Sequence, residues 1–600
     1  MAATNLAVAF LETVRAHGSN IALLSKKEGN YVGVDYDKLH RQVKNLALGL
    51  AASDIRKGDR VSIFSFNRPE WAISDLAIIS LGAINVPLYP TLSAKQLEFI
   101  INDAEVKFVI VSGEEQTEKI LQIRKQLKYP PNIILMDNLN LKAEGITTLA
   151  EVSKKGEVFS RKNPDYLKNA VAQISPDDIC AIVYTSGTTG DPKGVMLSHG
   201  NILGNVRGAL KALNITHTDR FLSFLPLSHV FERMAGQFCP IVAGGAIAYA
   251  ESPEKVVQNM AEAKPTITCT VPRLLEKMHD AILAKVNSGS LLKKKMFFWG
   301  LNTGYRFNEA KKTGKISGLL QLQRSLAQKL VFKKIHAVVG GRLRYFISGG
   351  APLPKEIGEF FHALGVNILE GYGLTESSPV ISVNLLGKMK FGTVGPPLRE
   401  GSVEVKIGSD GEILTRGPHV MPGYYKNPDA TREVIDEDGW LHTGDIGFQD
   451  EDGYLTITDR KKNLIVTSGG KNISPTNVEN SLLISPLIDQ IVVIGDRRNF
   501  IAALIVPNRE RLEKETQNLG IASNDYHSLL RNEKVISTLH KEIEKLSMHL
   551  ARFERVRAFR LLGEPFTIES GELTPTLKVR RNIVEEKYRD LIEEMYQEND

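Results

Sequence analysis

The sequence predicts an α/β protein: a large N-terminal domain of layered α/β subdomains plus a small β subdomain, followed by a small α+β C-terminal domain. Three observations carry that reading. Apolar runs alternate with amphipathic stretches through the first two thirds of the chain; short strands with Asp-Gly turns replace them between residues 371 and 459; and about 140 residues remain after Arg460, the size of a separate domain. The 600 residues, 42% hydrophobic, are too many for one ordinary domain and enough to bury several cores.

The elements follow in order. MAATNLAVAFLETVRAHG has no basic leader ahead of its apolar residues and reads as an amphipathic helix, which argues against a secretory signal. RVSIFSF reads as a strand, Trp71 to Leu81 has helical spacing, AINVPLY is a second strand, Leu97 to Asp103 a helix and KFVIVSG a third strand, the rhythm of parallel units. In VEVKIGSDGEILTRG and DEDGYLTITD the Asp-Gly pairs mark tight turns between short strands. QIVVIGD and AALIVP are strands of the last domain, with charged helices toward its end. Domain boundaries are expected at 1–460 and 461–600.

Composition narrows the function classes. The three cysteines, Cys180, Cys239 and Cys269, form no CxxC pair and have no histidine at ligand spacing, so neither a disulfide framework nor a zinc site is indicated, and a reducing cytoplasm fits. Phe238 to Ala250, the longest nearly uncharged stretch, falls well short of the roughly 18 to 20 apolar residues a membrane span needs. The net charge of +6 is unevenly placed: from Leu291 to Tyr345 there are thirteen Lys or Arg against one acid, Glu309. Apolar residues interleave with these cations, among them Met296, Phe297, Phe298, Trp299, Leu319, Leu320 and Leu322. That pattern suits peripheral contact with an anionic membrane, on the inner face for a cytoplasmic protein. A solvated charged face and a site for the phosphates of an anionic co-substrate are the other readings; nucleic acid is not expected, since no recognition motif or aromatic stacking set accompanies the charge.

The most informative stretch is IVYTSGTTGDPKGV, Ile182 to Val195. An apolar strand ends in small and hydroxylated residues followed by Lys193. Such a loop lets backbone N–H groups close around phosphate oxygens while the lysine adds positive charge. It is not a Walker loop, because Gly194 stands where that pattern has the Ser or Thr that holds magnesium.

This string resembles the phosphate loop of the adenylate-forming enzymes, which include acyl-CoA ligases, luciferases and peptide-synthetase adenylation domains. Further motifs follow in the family's order: GYGLTESSP (Gly371 to Pro379), DGWLHTGD (Asp438 to Asp445), Asp459-Arg460, SGGKNISP (Ser468 to Pro475) and LTPTLKVRR (Leu573 to Arg581). Many relatives have glycine where this chain has Leu577, a departure that, with LPLSHVFER (Leu225 to Arg233), is similar to the long-chain fatty acid CoA ligases.

The resemblance implies roles residue by residue. Thr185 and Glu376 would hold Mg²⁺. Thr185, Ser186, Gly187, Thr188, Thr189, Gly190 and Lys193 would cradle the ATP phosphates. Gly350, Ala351, Pro352, Glu370, Gly371, Tyr372, Gly373 and Thr375 would line the nucleotide, Tyr372 lying against adenine. Asp445 would hold the ribose hydroxyls with help from Arg460. Lys578 would be the mobile catalytic lysine, acting with Glu376 and Thr185. Lys462 would be the hinge about which the small domain turns, and Gly469, Gly470 and Lys471 the loop presented to coenzyme A. His229 would gate the acyl channel, although a buried, satisfied histidine also fits. The activity implied is ATP-dependent activation of a fatty acid to acyl-AMP and its transfer to coenzyme A, the alternative being a fatty acyl-AMP ligase loading a carrier protein. A nucleotide-binding protein with a decayed site is disfavoured by the joint presence of these residues.

Overall fold

A computed structural model describes residues 3–139, 141, 144–185, 192–468, 471–518, 520–521, 525–567, 570–573 and 579–598. Two eight-stranded sheets form the body of the protein. The first runs, edge to edge, through Gly423–Tyr424, Lys193–Ser198, Ile179–Thr185, Ile84–Leu88, Arg60–Phe64, Phe108–Val111, Asn132–Leu135 and Ile146–Thr148. The second runs through Val380–Val383, Ile368–Gly373, Tyr345–Ser348, Ile267–Thr270, Arg220–Ser223, Ala246–Tyr249, Ile21–Lys27 and Asn30–Asp35. Central pairings such as Val61↔Phe108 and Thr270↔Ser348 are parallel, while hairpins add antiparallel strands at the edges. Strands covered on both faces bury every side chain, which is why runs such as Phe108–Val111 lack polar alternation.

The expected helix after RVSIFSF spans Pro69–Ser80, with proline at its first turn, where no N–H is required. It is buried from Trp71 to Ser80 because it touches strands of both large sheets. Beside it lies a π-helix, Glu232–Phe238, buried at all seven residues. The helix expected from Leu97 starts earlier, at Ala94, because Ser93 caps it and Gln96 returns the bond in a capping box.

The texture change after residue 371 corresponds to a four-stranded antiparallel sheet of Glu404–Ile407, Glu412–Arg416, Leu441–Gln449 and Leu455–Arg460. In the small domain, Ile488–Ile494 pairs antiparallel with Ala502–Pro507, which pairs parallel with Ala558–Leu561. Arg273, at the start of the helix Pro272–Asn287, reaches across to the small domain, donating to the Asp489 carbonyl at 3.2 Å and pairing with its carboxylate.

The basic segment is helical. Leu291–Lys312 and Gly318–Ala327 pack on each other, and the first also lies against Lys355–Ala363. Away from that core, Leu291, Leu292, Leu319 and Leu322 are 79%, 77%, 67% and 59% exposed. Among the described residues, no helix is long and apolar enough to cross a membrane.

Candidate nucleotide and acyl-activation site

The site forms where the ends of both large sheets meet the antiparallel subdomain. Ile179–Thr185 and Lys193–Ser198 pair in register, so Thr185 stands opposite Lys193, and the Thr185 hydroxyl lies 3.5 Å from the Lys193 carbonyl. The loop between them carries Ser186, Gly187, Thr188, Thr189 and Gly190, which lie outside the described residues.

From the other sheet, Ile368–Gly373 ends in a single turn, Thr375–Ser377, before the chain returns as Val380–Val383. Ser377 holds that turn: its hydroxyl accepts the Leu374 N–H at 2.9 Å and donates to the Pro379 carbonyl at 2.6 Å. Gly373 is required here, because a Cβ would stand 1.7 Å from the Pro379 carbonyl oxygen. The strand Lys193–Ser198 packs beside the turn, which brings the Glu376 and Lys193 segments together.

Tyr424 links them directly. Its hydroxyl donates to Glu376 Oε1 at 2.9 Å, the Lys193 ammonium sits 5.1 Å from its ring centre, and the Met421 N–H donates to the Glu376 carbonyl at 2.9 Å. Sequence reasoning passed over Tyr424. The signal available was Gly423 and Tyr424 following Met421-Pro422 between two motifs, but only the pairing Tyr424↔Val195 reveals its position.

Three further residues that the motifs singled out form one cluster. Asp445 is buried; its Oδ2 accepts the Tyr372 hydroxyl at 2.7 Å and its Oδ1 faces Arg460 Nε at 2.9 Å. Asp445 and Arg460 are also register partners across neighbouring strands. Burial, reinforced by the Asp445 carboxylate, holds the Tyr372 phenol well above its ordinary pKa, so it remains a donor. Arg460 keeps a side chain 47% exposed beside this acceptor, open to a ligand.

Glu370 is buried on the strand that leads to Gly371, and its Oε1 has no hydrogen-bond partner. Burial pushes its carboxyl up to about 8, against which the Leu353 backbone acts weakly. Gly350, Ala351 and Pro352 lie exposed in the loop before Leu353, with Gly350 at φ +84°. A carboxyl whose folded pKa is raised stabilises the fold below its unfolded value near 4.5, and that contribution is lost as pH rises through about 8. The melting temperature should therefore fall more steeply between pH 5 and 8.5 in the parent protein than in Glu370→Gln, and parallel curves would mean that Glu370 carries no such charge penalty.

His229 is half-buried. Its Nδ1 accepts the Phe231 N–H at 3.1 Å, and its ring stands edge-on to Tyr89 at 6.4 Å. It is thus neither fully buried nor detached from the fold. Lys462 is exposed in the turn after Leu455–Arg460, immediately beyond Lys461, which is held by Asp410 at 2.7 Å and Glu412 at 3.1 Å. Lys471 is exposed and its backbone closes a turn with Thr467, while Gly469, Gly470 and Lys578 lie outside the described residues.

The structure therefore gathers Thr185, Lys193, Glu376, Tyr372, Asp445 and Arg460 around the junction of three sheets. Two oxygen donors, the Glu376 carboxylate and the Thr185 hydroxyl, are of the type a hard divalent cation takes. The described part of the site thus sets the Lys193 ammonium and the Glu376 carboxylate on either side of Tyr424, with the Tyr372–Asp445–Arg460 cluster at the same strand end.

Comparisons with known proteins agree with this geometry. The AMP-binding enzyme profile matches residues 10–425, and the AMP-binding enzyme C-terminal domain profile matches 462–600. The chain is 35% identical over 576 residues to the long-chain-fatty-acid–CoA ligase FadD15 of Mycobacterium tuberculosis, covering 95% of this chain and 93% of that protein. It is 34% identical over 607 residues to long chain acyl-CoA synthetase 4 of Arabidopsis thaliana, covering 96% and 88%. Among solved structures, the adenylation domain of a carboxylate reductase from Mycobacterium chelonae shares the fold with a TM-score of 0.75 at 23% identity, covering all of this chain and 92% of that one. Matched along both domains, and with the motif residues meeting at one site, the chain belongs to the family of AMP-binding, adenylate-forming enzymes.

Proposed function

We propose that the protein is an AMP-forming long-chain fatty acid CoA ligase. The observation that carries this reading is the convergence of the Thr185–Lys193 pair, Glu376 and the Tyr372–Asp445–Arg460 cluster, joined to relatives named as such ligases over nearly the whole chain. In the first step a carboxylate oxygen of the acid attacks the α-phosphorus of ATP and the bond to the β-phosphate oxygen breaks, giving acyl-AMP and pyrophosphate. A carboxylate is already ionised at neutral pH, so no base is needed; the obstacle is the meeting of two anions. Lys193 neutralises phosphate charge, Asp445 and Arg460 fix the ribose, and Tyr372 packs on the base. Mg²⁺, held by Glu376 and Thr185, would supply further positive charge to the triphosphate.

In the second step the coenzyme A thiol, with a pKa of about 8.5, attacks the acyl carbon, the C–O bond to AMP breaks, and the thiol proton is released. The two steps ask for different groups at one acyl carbon. The reading divides the chain at 1–460 and 461–600, with Lys578 serving the first step and the loop of Gly469, Gly470 and Lys471 the second after rotation about Lys462. Support comes from Lys461, anchored to the antiparallel sheet immediately before the exposed Lys462. Release of AMP, not ADP, only when a fatty acid is present tests the function; a panel from acetate to oleate with and without coenzyme A fixes the acid and the acceptor.

The exposed leucines of the basic helices support a second part of the reading, peripheral docking on the anionic inner face of the cytoplasmic membrane. Leu291 and Leu292 are followed directly by Lys293, Lys294 and Lys295, pairing apolar surface with cations. The three cysteines are free and buried, which suits a reducing compartment. Each cation near anionic lipid contributes about 1 kcal/mol, so Lys293→Glu, Lys294→Glu and Lys295→Glu together should weaken co-sedimentation with anionic vesicles at least about a hundredfold. Unchanged sedimentation with a raised KM for coenzyme A would assign the cluster to the cofactor's phosphates instead.

A further inference from the structure

The turn carrying His229 is tied at both ends to one neighbouring segment, residues 67–75. At its front, Asn67 Nδ2 donates to the Leu225 carbonyl at 2.6 Å and to Ser223 Oγ at 2.9 Å, while Asn67 Oδ1 accepts the Leu227 N–H at 3.0 Å. Behind it, Arg233 grips Asp75 with two bonds, Nε to Oδ2 at 2.9 Å and Nη2 to Oδ1 at 2.6 Å. Gln237 donates to the same Oδ2 at 2.8 Å, and Asn85 donates to Oδ1 at 2.7 Å. The Arg233 N–H donates in turn to the His229 carbonyl at 3.0 Å, so the anchored guanidinium is one turn from the gate's own backbone.

All four partners in the rear cluster are buried, in the layer between the two large sheets. A buried carboxylate–guanidinium pair is a weak source of stability, since apolar side chains of equal volume commonly serve as well. What its two-pronged bonding supplies is orientation. The segment it orients is a π-helix, a form that recurs at functional sites, and its geometry is tight: a Cβ on Gly236 would stand 2.5 Å from the Glu232 carboxyl. Neither brace extends to the nucleotide cluster of Tyr372, Asp445 and Arg460, whose bonds are separate. The His229 turn and the Tyr372–Asp445–Arg460 cluster thus rest on different supports.

We propose that Asn67 and the Asp75–Arg233–Gln237 cluster are positioning residues for the fatty acid, fixing the His229 turn so that a long alkyl chain is admitted in register with the adenylation site. This rests on the reading of His229 as the acyl gate. The test measures KM for hexadecanoate, octanoate and ATP by AMP release, with melting temperatures, in Asn67→Ala, Asp75→Asn and His229→Ala. Asn67 is half-buried, so its variant remains informative should Asp75→Asn fail to fold. Asn67→Ala, which removes all three of its bonds to the turn, is expected to raise the hexadecanoate KM about tenfold. The octanoate KM should rise less, and the ATP KM should stay within twofold. A folded Asn67→Ala that leaves the acid KM unchanged, or that raises acid and ATP KM equally, would overturn the bracing role. If His229→Ala raises the acid KM and the brace variants do not, only the brace falls; if His229→Ala has no effect, the gate reading falls with it.

Discussion

Lys578→Ala is expected to lower fatty-acid-dependent exchange of pyrophosphate into ATP by about 10²–10³-fold, the usual loss when one preorganised donor to a developing charge is removed. Acyl transfer from added acyl adenylate to coenzyme A should stay within a few-fold of the parent. The split follows from charge. Only the first step brings an anionic carboxylate against a polyphosphate, whereas the second begins from a neutral acyl carbon. The chain is anchored on both sides of Lys578. Leu573 bridges Val579, the Arg580 N–H donates to the Glu572 carbonyl at 2.7 Å, and Arg581 pairs with Glu479 at 2.6 Å. With both flanks held to the small domain, the two-conformation reading has Lys578 arrive and leave with that domain. Equal losses in both assays would remove the two-conformation assignment while leaving the nucleotide site intact.

Asp445→Ala should produce the second large effect. Asp445 accepts from Tyr372 and faces Arg460, so its removal leaves a buried phenol without its acceptor and a guanidinium without its counter-charge. Hydrogen bonds to a charged group contribute about 1.5–3 kcal/mol, which corresponds to a rise in the ATP KM of about 10- to 100-fold. The fatty acid KM should move little. Asp445→Asn keeps an acceptor for Tyr372 but not the charge, and should fall between the two. Titration of each variant with ATP at saturating acid checks this, and an unchanged ATP KM in Asp445→Ala would remove the ribose assignment.

Much of this was legible in the chain because the features depend on local chemistry. Parallel strands such as Arg60–Phe64 are covered on both faces and so read as uninterrupted apolar runs, and Asp-Gly pairs announce the hairpins of the antiparallel sheet. The motif residues Thr185, Glu376, Tyr372, Asp445 and Arg460 were found by their strings, but their mutual bonding was not, because Tyr372 and Asp445 meet across 73 residues. Tyr424 stayed hidden for a related reason: its role depends on a two-residue strand pairing with a distant one. The π-helix from Glu232 was equally silent. Charged residues at Glu232 and Arg233 suggest a solvated face, and only the facing Asp75, 158 residues away, shows how the arginine is accommodated in the interior. The basic helices were visible as composition, whereas the exposure of Leu291 and Leu292 is a property of packing.

Loss of long-chain selectivity in Asn67→Ala and loss of vesicle binding in the Lys293→Glu series would concern different places, since Asn67 is bonded to residues 223–227 and the three lysines lie on the outer helix Leu291–Lys312. Each change should therefore leave the other's readout as in the parent, as expected for sites without shared partners.

The most direct measurement follows the oxygen atoms. Hexadecanoic acid labelled with ¹⁸O in its carboxyl group is incubated with the enzyme, ATP, magnesium and coenzyme A, and the nucleotide product is weighed by mass spectrometry. Attack of the carboxylate on the α-phosphorus, followed by breakage of the acyl C–O bond, leaves one labelled oxygen on AMP. ADP as the product, or AMP without label, would contradict the assignment of these residues to acyl adenylation.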